Sequence, residues 1–370
     1  MNPNEFILEN IKRMKAYVPG LQLNDPDIIK LNTNENPFPI SNKIKEALIS
    51  EIEKLHLHKY PDPLSQKLRD KISEIYKTTP KNIVIGNGSD EILSFVFRSI
   101  LDSTRTIIAP NPSYSLYPVL AASLGANFIS VNLTSDWKVD FPSMLHNISK
   151  QITPLTVITN PNSPTGICEH KTEILKFADQ NPGLTLIDEA YVDFGGESIA
   201  EYAGTKKYPR LMSCNTFSKA YSLAGQRIGW LIADESIISE IDKIRDSYNV
   251  SRLAQTAALA ALQDMEEIKR RIKIICETRD WLINELNKLN FYTLPSSSNF
   301  IFTSPPKLSL NQSIDEAKIF YDYLLQNKVL IRYFPVDKLR EFVRISIGTK
   351  KEMERLVELI HKFINLQKTG

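Results

Sequence analysis

Residues 216–229, TFSKAYSLAGQRIG, place one lysine between hydroxyl side chains and an arginine. Lys219 follows Thr216 and Ser218, and Arg227 comes eight residues after the lysine. A lysine amine can condense with an aldehyde, while the hydroxyls and the guanidinium offer hydrogen bonds and charge to a nearby phosphate. The stretch therefore predicts a lysine that binds an aldehyde beside a phosphate. A Ser-Lys pair alone is also common on helix surfaces, so this interpretation depends on partners elsewhere in the chain.

Bulk properties exclude several classes of function. The chain has 370 residues, enough for two domains, and its formal net charge is +2. This balance gives no reason to expect a nucleic-acid partner, and no apolar run approaches the roughly 18 residues of a membrane span. Residues 1–20 are mixed with charges and lack the apolar core of a signal peptide. We expect a cytoplasmic protein with no nucleic-acid or membrane partner.

Cysteines and histidines give no sign of a metal site. Cys168, Cys214 and Cys276 are far apart, odd in number and without C-x-x-C spacing. His56 and His58 are the only close histidine pair, and residues two apart point to different faces of a helix. We therefore expect neither a disulfide framework nor a bound metal.

From about residue 81, short apolar runs alternate with helix-length segments. The predicted strands are 83–85, 106–109, 127–131, 155–159, 184–187 and 228–232, and the predicted helices include 90–100, 115–124 and 171–180. This alternation is typical of a mostly parallel α/β sheet, in which ligands bind at the carboxyl ends of the strands. The sequence thus predicts a large α/β domain over residues 41–250.

The pattern changes after residue 250. A charged helical stretch at 264–288 precedes short apolar segments, and a helix is predicted near 350–366; the apolar segments are 291–294, 299–303, 329–332 and 342–346. These features predict a smaller α+β domain over residues 251–370. Residues 1–40 have little periodicity and several prolines, so we expect an N-terminal arm.

The segment 86–91, GNGSDE, follows a predicted strand and opens a helix. The backbone N–H groups of Gly88, Ser89 and Asp90 can then point at one ligand, and a helix N-terminus favours a phosphate there. A plain turn with Ser89 or Asp90 as the helix N-cap explains the same residues equally well.

Three more strand ends carry side chains suited to a pyridine ring. Asp188 can hold a pyridine nitrogen protonated, and Tyr191 or Asn162 can hydrogen-bond a phenolic oxygen on the same ring. Tyr114 can stack on the ring, although ordinary packing also accounts for both tyrosines. Pyridoxal 5'-phosphate combines the aldehyde, the phosphate, the pyridine nitrogen and the phenolic oxygen. These residues together favour it as the cofactor.

In their order and spacing these residues resemble the fold-type I pyridoxal-phosphate-dependent aminotransferases, over nearly the whole chain. The resemblance implies a mixed, mostly parallel seven-stranded sheet between helices. It implies Lys219 as the lysine bound to the cofactor aldehyde, Asp188 as the partner of the pyridine nitrogen and Tyr191 on the phenolic oxygen. Tyr114 is implied as the stacking ring, and the residues implied around the phosphate are Ser89, Thr216, Ser218 and Arg227. Gly88 and Asp90 are expected to add their backbone N–H groups there.

The chain departs from the family at one position. The family amide usually stands directly before Pro-Thr-Gly, where this chain has Ser163. Asn162, one residue earlier, is expected to take the role, with Ser163 as the alternative.

Within that superfamily the chain resembles the histidinol-phosphate aminotransferases. The segments that carry the resemblance are 16–20 (AYVPG), 31–37 (LNTNENP), 60–63 (YPDP) and 342–349 (FVRISIGT). The resemblance implies amino transfer between L-histidinol phosphate and 2-oxoglutarate, a step of histidine biosynthesis. It also implies a homodimer in which Tyr60 reaches the cofactor phosphate of the neighbouring subunit.

Four residues are expected to bind substrate. Arg344 is the candidate for the glutamate α-carboxylate, because a planar guanidinium can grip a carboxylate with two hydrogen bonds. Arg332 and Tyr17 are candidates for the substrate phosphate or the distal carboxylate, and Asn34 is expected beside them. A solvated charge at a strand end is the alternative for Arg332.

Other functions share the same cofactor residues. An aromatic or broad-range aminotransferase and a lyase that decarboxylates phosphothreonine are the nearest alternatives, because the cofactor residues cannot separate them. A non-catalytic cofactor-binding module is the alternative from another class.

Overall fold

The computed structural model describes residues 2–23, 25–150, 155–307, 315–336 and 338–369. Its helices are α1 (Glu9–Arg13), α2 (Asn42–Glu53), α3 (Gln66–Tyr76), α4 (Ser89–Ile100), α5 (Leu116–Ser123), α6 (Phe141–Ile148), α7 (Lys171–Gln180), α8 (Glu235–Ile244), α9 (Arg252–Leu262), α10 (Met265–Lys288), α11 (Glu316–Gln326) and α12 (Lys350–Thr369). Its strands are β1 (Ile29–Lys30), β2 (Ile83–Gly86), β3 (Thr106–Asn111), β4 (Asn127–Asn132), β5 (Leu155–Thr159), β6 (Leu184–Asp188), β7 (Leu211–Thr216), β8 (Gly229–Ile232), β9 (Tyr292–Thr293), β10 (Phe300–Ser304), β11 (Val329–Leu330), β12 (Arg332–Tyr333) and β13 (Val343–Ser346).

Seven strands form the large sheet in the order β2-β8-β7-β6-β5-β3-β4. Only β8 runs antiparallel to its neighbours, and the other pairings are parallel. The predicted seven-stranded, mostly parallel sheet is confirmed. Because β3, β5, β6 and β7 are parallel, their carboxyl ends meet at one edge, where an α/β sheet binds its ligands.

Six strands of this sheet lie at their predicted positions, and β7 is the strand that the apolar pattern did not reveal. Its residues include Ser213, Asn215 and Thr216, and all of the strand is buried. The Ser213 hydroxyl donates a 2.6 Å hydrogen bond to Glu189. Buried polar groups are tolerated when they are hydrogen-bonded in this way. A central strand can therefore carry polar residues, and a pattern of apolar runs then does not predict it.

Helices cover both faces of the large sheet. One face packs on α4, α5 and α8, with Phe97, Tyr117 and Ile241 fully buried there. Ile44 of α2 and Phe177 of α7 belong to the core on the other face. The sheet is thus closed to water on both sides, and its strand ends are left to form a site.

The C-terminal part has a four-stranded antiparallel sheet in the order β12-β13-β10-β9. A parallel two-stranded pairing joins β1 to β11, with Ile29 opposite Val329. Part of the segment expected as an arm therefore adds a strand to the C-terminal part. The domain boundaries at residues 40 and 250 stay predictions. Over the described ranges no helix is long and apolar enough to cross a membrane.

Candidate active site

A cavity of about 410 Å³ opens at the carboxyl ends of the parallel strands. It brings together residues from the N-terminal segment, the large sheet and the C-terminal sheet. The predicted site residues that line it are Tyr17, Asn34, Ser89, Asp90, Tyr114, Asp188, Tyr191, Thr216, Ser218, Lys219, Arg227, Arg332 and Arg344.

One end of the cavity is built to hold an anion. The chain turns directly after Thr216, whose hydroxyl donates to Ser218 Oγ at 3.0 Å. Arg227 Nη1 lies 3.4 Å from the same Oγ, and its Nη2 donates to Asp90 Oδ2 at 3.1 Å. Helix α4 begins at Ser89 on the same side, and a helix N-terminus carries a partial positive charge. Hydroxyls, a guanidinium and a helix N-terminus thus converge, as a phosphate requires.

Gly88 supports this end without lining the cavity. Its φ is +89°, which favours glycine, and a Cβ there would lie 2.6 Å from Arg227 Nη2. Glycine is therefore required so that the guanidinium can lie against the start of α4.

Lys219 sits between the N-terminal segment and the sheet edge. Its Nζ donates to the Thr33 carbonyl at 3.2 Å and lies 5.7 Å from the Tyr191 ring centroid. The Asn36 amide donates to the carbonyl of Lys219 at 3.0 Å and to that of Ala220 at 3.1 Å. The segment 31–37 thus binds the backbone of the turn that carries Lys219, and its Thr33 carbonyl accepts the hydrogen bond of the lysine amine.

Asp188 is the last residue of β6 and is only 3% exposed. Its Oδ2 accepts a 2.8 Å hydrogen bond from the Tyr117 hydroxyl, and its Oδ1 accepts one of 3.2 Å from the Ala190 N–H. Burial raises the pKa of Asp188 to about 6, and the Tyr117 hydrogen bond opposes this rise. A carboxylate in this position favours a cationic partner in the cavity.

Tyr114 and Tyr191 both line the cavity. The Tyr114 hydroxyl donates to Asp90 Oδ1 at 3.0 Å, and its ring meets Tyr17 edge-on at 6.1 Å. The Tyr191 hydroxyl accepts a 3.0 Å hydrogen bond from the Asn34 amide. Asn34 is buried and has a φ of +56°, a backbone conformation that asparagine tolerates.

Two arginines enter the cavity from the C-terminal sheet. Arg332 and Arg344 are direct partners across β12 and β13, so their side chains lie on one face of the sheet. Arg344 donates to Ser163 Oγ and to the Asn32 carbonyl, both at 3.0 Å. The ring of Phe334 lies 5.4 Å from the Arg332 guanidinium carbon and 5.7 Å from that of Arg344. Neither guanidinium forms an ion pair with a carboxylate in the part of the chain that the structure describes.

Arg332 also holds the N-terminal segment over the cavity. Its two terminal nitrogens donate to the carbonyls of Pro19 and Val18, at 3.2 and 3.3 Å. We call residues 17–22 the strap, because Tyr17, Gly20 and Gln22 line the cavity from its outer side.

The structure does not place the Asn162 amide among the groups that line the cavity, so the role predicted for it stays a prediction. That amide donates to the Pro112 carbonyl at 3.2 Å and to Thr165 Oγ1 at 3.0 Å, and it does not line the cavity. The turn closes on itself through a 2.8 Å bond from the Gly166 N–H to the Asn162 carbonyl. Ser163 lines the cavity instead, so the alternative left open by the sequence has the supporting geometry.

Tyr60 lies outside this cavity in the single chain. Its side chain is 75% exposed, and its ring stacks on Tyr248 with centroids 4.3 Å apart. The role predicted for Tyr60 stays a prediction, because it requires a neighbouring subunit.

Tyr117 is a site residue that the sequence analysis did not identify. It follows Tyr114 by three residues as the second residue of α5, and the two rings meet edge-on at 5.6 Å. That spacing is the signal that could have found it.

Comparisons with known proteins agree with this geometry. Residues 26–360 match the family described as aminotransferase class I and II. A histidinol-phosphate aminotransferase of Geotalea uraniireducens is 40% identical over 96% of this chain and 98% of its own. One from Clostridium botulinum is 38% identical over 96% and 97%.

A solved structure extends the likeness to the fold. The histidinol-phosphate aminotransferase of Sinorhizobium meliloti, solved in complex with pyridoxal-5'-phosphate, has a TM-score of 0.88 to this chain. Its identity is 25%, and the match covers 97% of this chain and 98% of that one. The seven-stranded sheet, the cavity and these relatives together show that the chain belongs to the class I and II aminotransferases, among relatives named histidinol-phosphate aminotransferase.

Proposed function

We propose that this chain transfers an amino group between L-histidinol phosphate and 2-oxoglutarate, with pyridoxal 5'-phosphate as cofactor. The observation that carries the proposal is the pair Arg332 and Arg344, which face the same cavity as Lys219 without a carboxylate partner in the described ranges. Two such guanidinium groups favour a substrate with more than one negative charge. The relatives named above support the same choice.

The residues present fit the cofactor. Ser89, Thr216, Ser218 and Arg227 offer the hydrogen bonds and the charge that its phosphate requires, and Gly88 leaves room for the guanidinium. The buried carboxylate of Asp188 lies at the cavity wall, and a protonated pyridine nitrogen would stabilise its charge. When bound, the cofactor supplies the electron sink that makes the substrate Cα proton acidic.

Lys219 has two tasks in this chemistry. Its amine would hold the cofactor through the aldehyde in the resting enzyme, and in the presence of a substrate amine it would be free to transfer protons. The free amine then moves a proton away from the substrate Cα as a general base and returns one as a general acid. Its contacts with Thr33 and Asn36 keep it at the sheet edge while it does so.

The two arginines let one cavity accept both anionic substrates. L-Histidinol phosphate carries a phosphate and no carboxylate, whereas glutamate carries two carboxylates. Arg344 accounts for the α-carboxylate, and Arg332 for the distal carboxylate of glutamate; a phosphate dianion can engage both. Tyr17, Gly20 and Gln22 of the strap line the same cavity as the two arginines.

Steady-state transamination tests this function directly. Purified, cofactor-loaded protein is assayed with 2-oxoglutarate and L-histidinol phosphate, beside phenylalanine, tyrosine and phosphothreonine. A clear preference in kcat/KM for L-histidinol phosphate is expected. A preference for an aromatic donor would make the enzyme a broader aminotransferase, and carbon dioxide release from phosphothreonine would make it a lyase.

Replacement of Arg332 should separate substrates by charge. In Arg332→Gln we expect kcat/KM to fall by about 10- to 100-fold with L-histidinol phosphate and with 2-oxoglutarate, the loss of one charge-assisted interaction. A half-reaction with phenylalanine, which has only the α-carboxylate, should change by less than about threefold. Equal losses for all three substrates would instead indicate that Arg332 acts only by holding the strap.

We further propose that the active unit is a homodimer in which Tyr60 completes the neighbouring site. Tyr60 is exposed beside Leu55 and Leu57, which are 76% and 54% exposed, and such patches favour association. The loop that carries it is held in place: Arg252 donates to the Tyr60 carbonyl at 2.8 Å, and Gln255 to the Asp62 carbonyl at 2.9 Å. A rigid exposed tyrosine is suited to contact with a second chain.

Removal of the Tyr60 hydroxyl tests this contact. In Tyr60→Phe the dissociation constant for pyridoxal 5'-phosphate should rise about tenfold, the loss of one hydrogen bond to a charged group. Tyr248→Phe is the matched control, since it removes a hydroxyl from the ring stacked on Tyr60 and should leave cofactor affinity unchanged. An unchanged dissociation constant in a dimeric Tyr60→Phe protein would contradict the cross-subunit contact.

A further inference from the structure

Tyr117 connects the cavity wall to Asp188 through a chain of hydroxyl groups. Its side chain is fully buried, and its hydroxyl lies 2.6 Å from Thr159 Oγ1 and 2.8 Å from Asp188 Oδ2. Thr159 Oγ1 lies 3.2 Å from Ser113 Oγ. A tyrosine hydroxyl has one hydrogen, which it donates to the carboxylate, so Thr159 donates to Tyr117 and Ser113 to Thr159. Each bond in such a chain strengthens the next.

Each carboxylate oxygen of Asp188 accepts one hydrogen bond from the protein. One oxygen accepts from Tyr117, and the other accepts from the Ala190 N–H at 3.2 Å. Asp188 also lines the cavity, so it can meet a ligand there while both bonds are kept. The two bonds therefore fix the direction in which the carboxylate points.

We propose that Tyr117 is a positioning residue that keeps Asp188 ionised and aimed at the ring nitrogen of the bound cofactor. The proposal rests on the proposed function, because it requires that the cavity binds pyridoxal 5'-phosphate. It assigns to the second residue of α5 a task in cofactor binding.

The charged and titratable groups around Asp188 make this contribution significant. Burial and Asp90 favour the neutral acid, Lys219 favours the carboxylate, and Cys214 lies buried beside it. The hydroxyl of Tyr117 favours the carboxylate, and its own pKa is raised by burial and by Asp188, so it stays a neutral donor. Loss of this donor removes a hydrogen bond to the charged form and should raise the pKa of Asp188 above about 6.

The ring of Tyr117 has a separate structural role. It meets Tyr114 edge-on at 5.6 Å and stacks on Phe97 at 6.4 Å. A phenylalanine keeps both contacts and removes only the hydroxyl. Tyr117→Phe therefore separates the hydrogen bond from the packing.

The test measures cofactor affinity against pH, so it needs no turnover. Apoprotein is titrated with pyridoxal 5'-phosphate between pH 5.5 and pH 8.5, and the bound form is followed by its visible absorbance. Affinity should fall in the acid range as Asp188 takes up a proton, and in Tyr117→Phe this fall should begin about one pH unit higher. The variant should thus lose about eightfold in affinity at pH 5.5, about threefold near pH 6.5 and almost nothing at pH 8.

Tyr221→Phe is the matched control. Tyr221 is buried, at 4% exposed, and its ring packs on Phe217 and Trp230, away from Asp188. Removal of the Tyr221 hydroxyl should leave the pH dependence of cofactor affinity unchanged. If the ratio of the Tyr117→Phe and wild-type dissociation constants is the same at every pH, the positioning role is refuted.

A second variant keeps the test decisive if Tyr117→Phe does not fold. Thr159→Val removes the hydroxyl that donates to Tyr117 and should shift the profile in the same direction by a smaller amount. Absence of any shift in a folded Thr159→Val protein would then overturn the proposal. Failure of the wild-type protein to bind pyridoxal 5'-phosphate at any pH would instead refute the proposed function.

Discussion

Replacing Lys219 with alanine is expected to reduce kcat for transamination by at least about 10⁴-fold, because one group supplies both the covalent link and the proton transfer. The amine lies at the sheet edge, 3.2 Å from the Thr33 carbonyl and 5.7 Å from the Tyr191 ring centroid. No other described lysine lines the cavity. The measurement is the rate of glutamate formation from 2-oxoglutarate with L-histidinol phosphate as donor.

A second substitution separates amine chemistry from charge. Lys219→Arg keeps a positive charge but cannot form the same link to an aldehyde, so it should be as inactive as the alanine variant. Both variants should melt cooperatively as apoproteins within a few degrees of the wild type, because the lysine side chain makes one hydrogen bond to the rest of the described chain. Turnover above about one percent of wild type in either variant would remove Lys219 from the mechanism.

Arg344→Gln is expected to produce the second largest loss. It removes two charge-assisted hydrogen bonds to the carboxylate or phosphate of the substrate. The kcat/KM for 2-oxoglutarate and for L-histidinol phosphate should therefore fall by about 10²- to 10³-fold, a loss of about 3–4 kcal/mol in transition-state stabilisation. Burial lowers the pKa of the Arg344 guanidinium, so an anion that pairs with it replaces lost hydration. Unlike Arg332→Gln, this variant should also lose activity with phenylalanine, because Arg344 binds the α-carboxylate of that donor.

The control for charge loss is an arginine outside the cavity. Arg355 pairs with Glu358 on the surface of α12 at 3.1 Å, and Arg355→Gln should change kcat/KM by less than about twofold. Arg344→Lys keeps the charge without the planar fork and should fall between wild type and Arg344→Gln. If phenylalanine were transaminated equally well by wild type and Arg344→Gln, the α-carboxylate assignment would be wrong.

Residues at strand ends were predictable from the sequence because parallel strands bring their carboxyl ends to one edge. Asp188 ends β6 and Ser89 follows β2, whereas Thr216 was predicted from its place beside Lys219, and all three line the cavity. Local order along the chain was enough to predict them. The C-terminal arginines needed the resemblance, since they lie in another sheet.

Other features depended on how side chains bond within the folded chain. Asn162 and Ser163 are neighbours, but the Asn162 amide is bound by Pro112 and Thr165, and Ser163 meets Arg344 at the cavity. The carbonyls that Arg332 binds are more than 300 residues away in sequence. No local pattern encodes such contacts, and the apolar pattern missed β7 because its polar groups are paired inside the sheet.

The most direct test of the central claim is a single half-reaction. Cofactor-loaded enzyme is mixed with L-histidinol phosphate in the absence of a keto acid, and the released imidazole acetol phosphate is counted. Amino transfer at one site by the ping-pong route predicts one equivalent of product per chain, then no more until 2-oxoglutarate is added. Product that keeps accumulating without a keto acid, or none at all, would contradict the account.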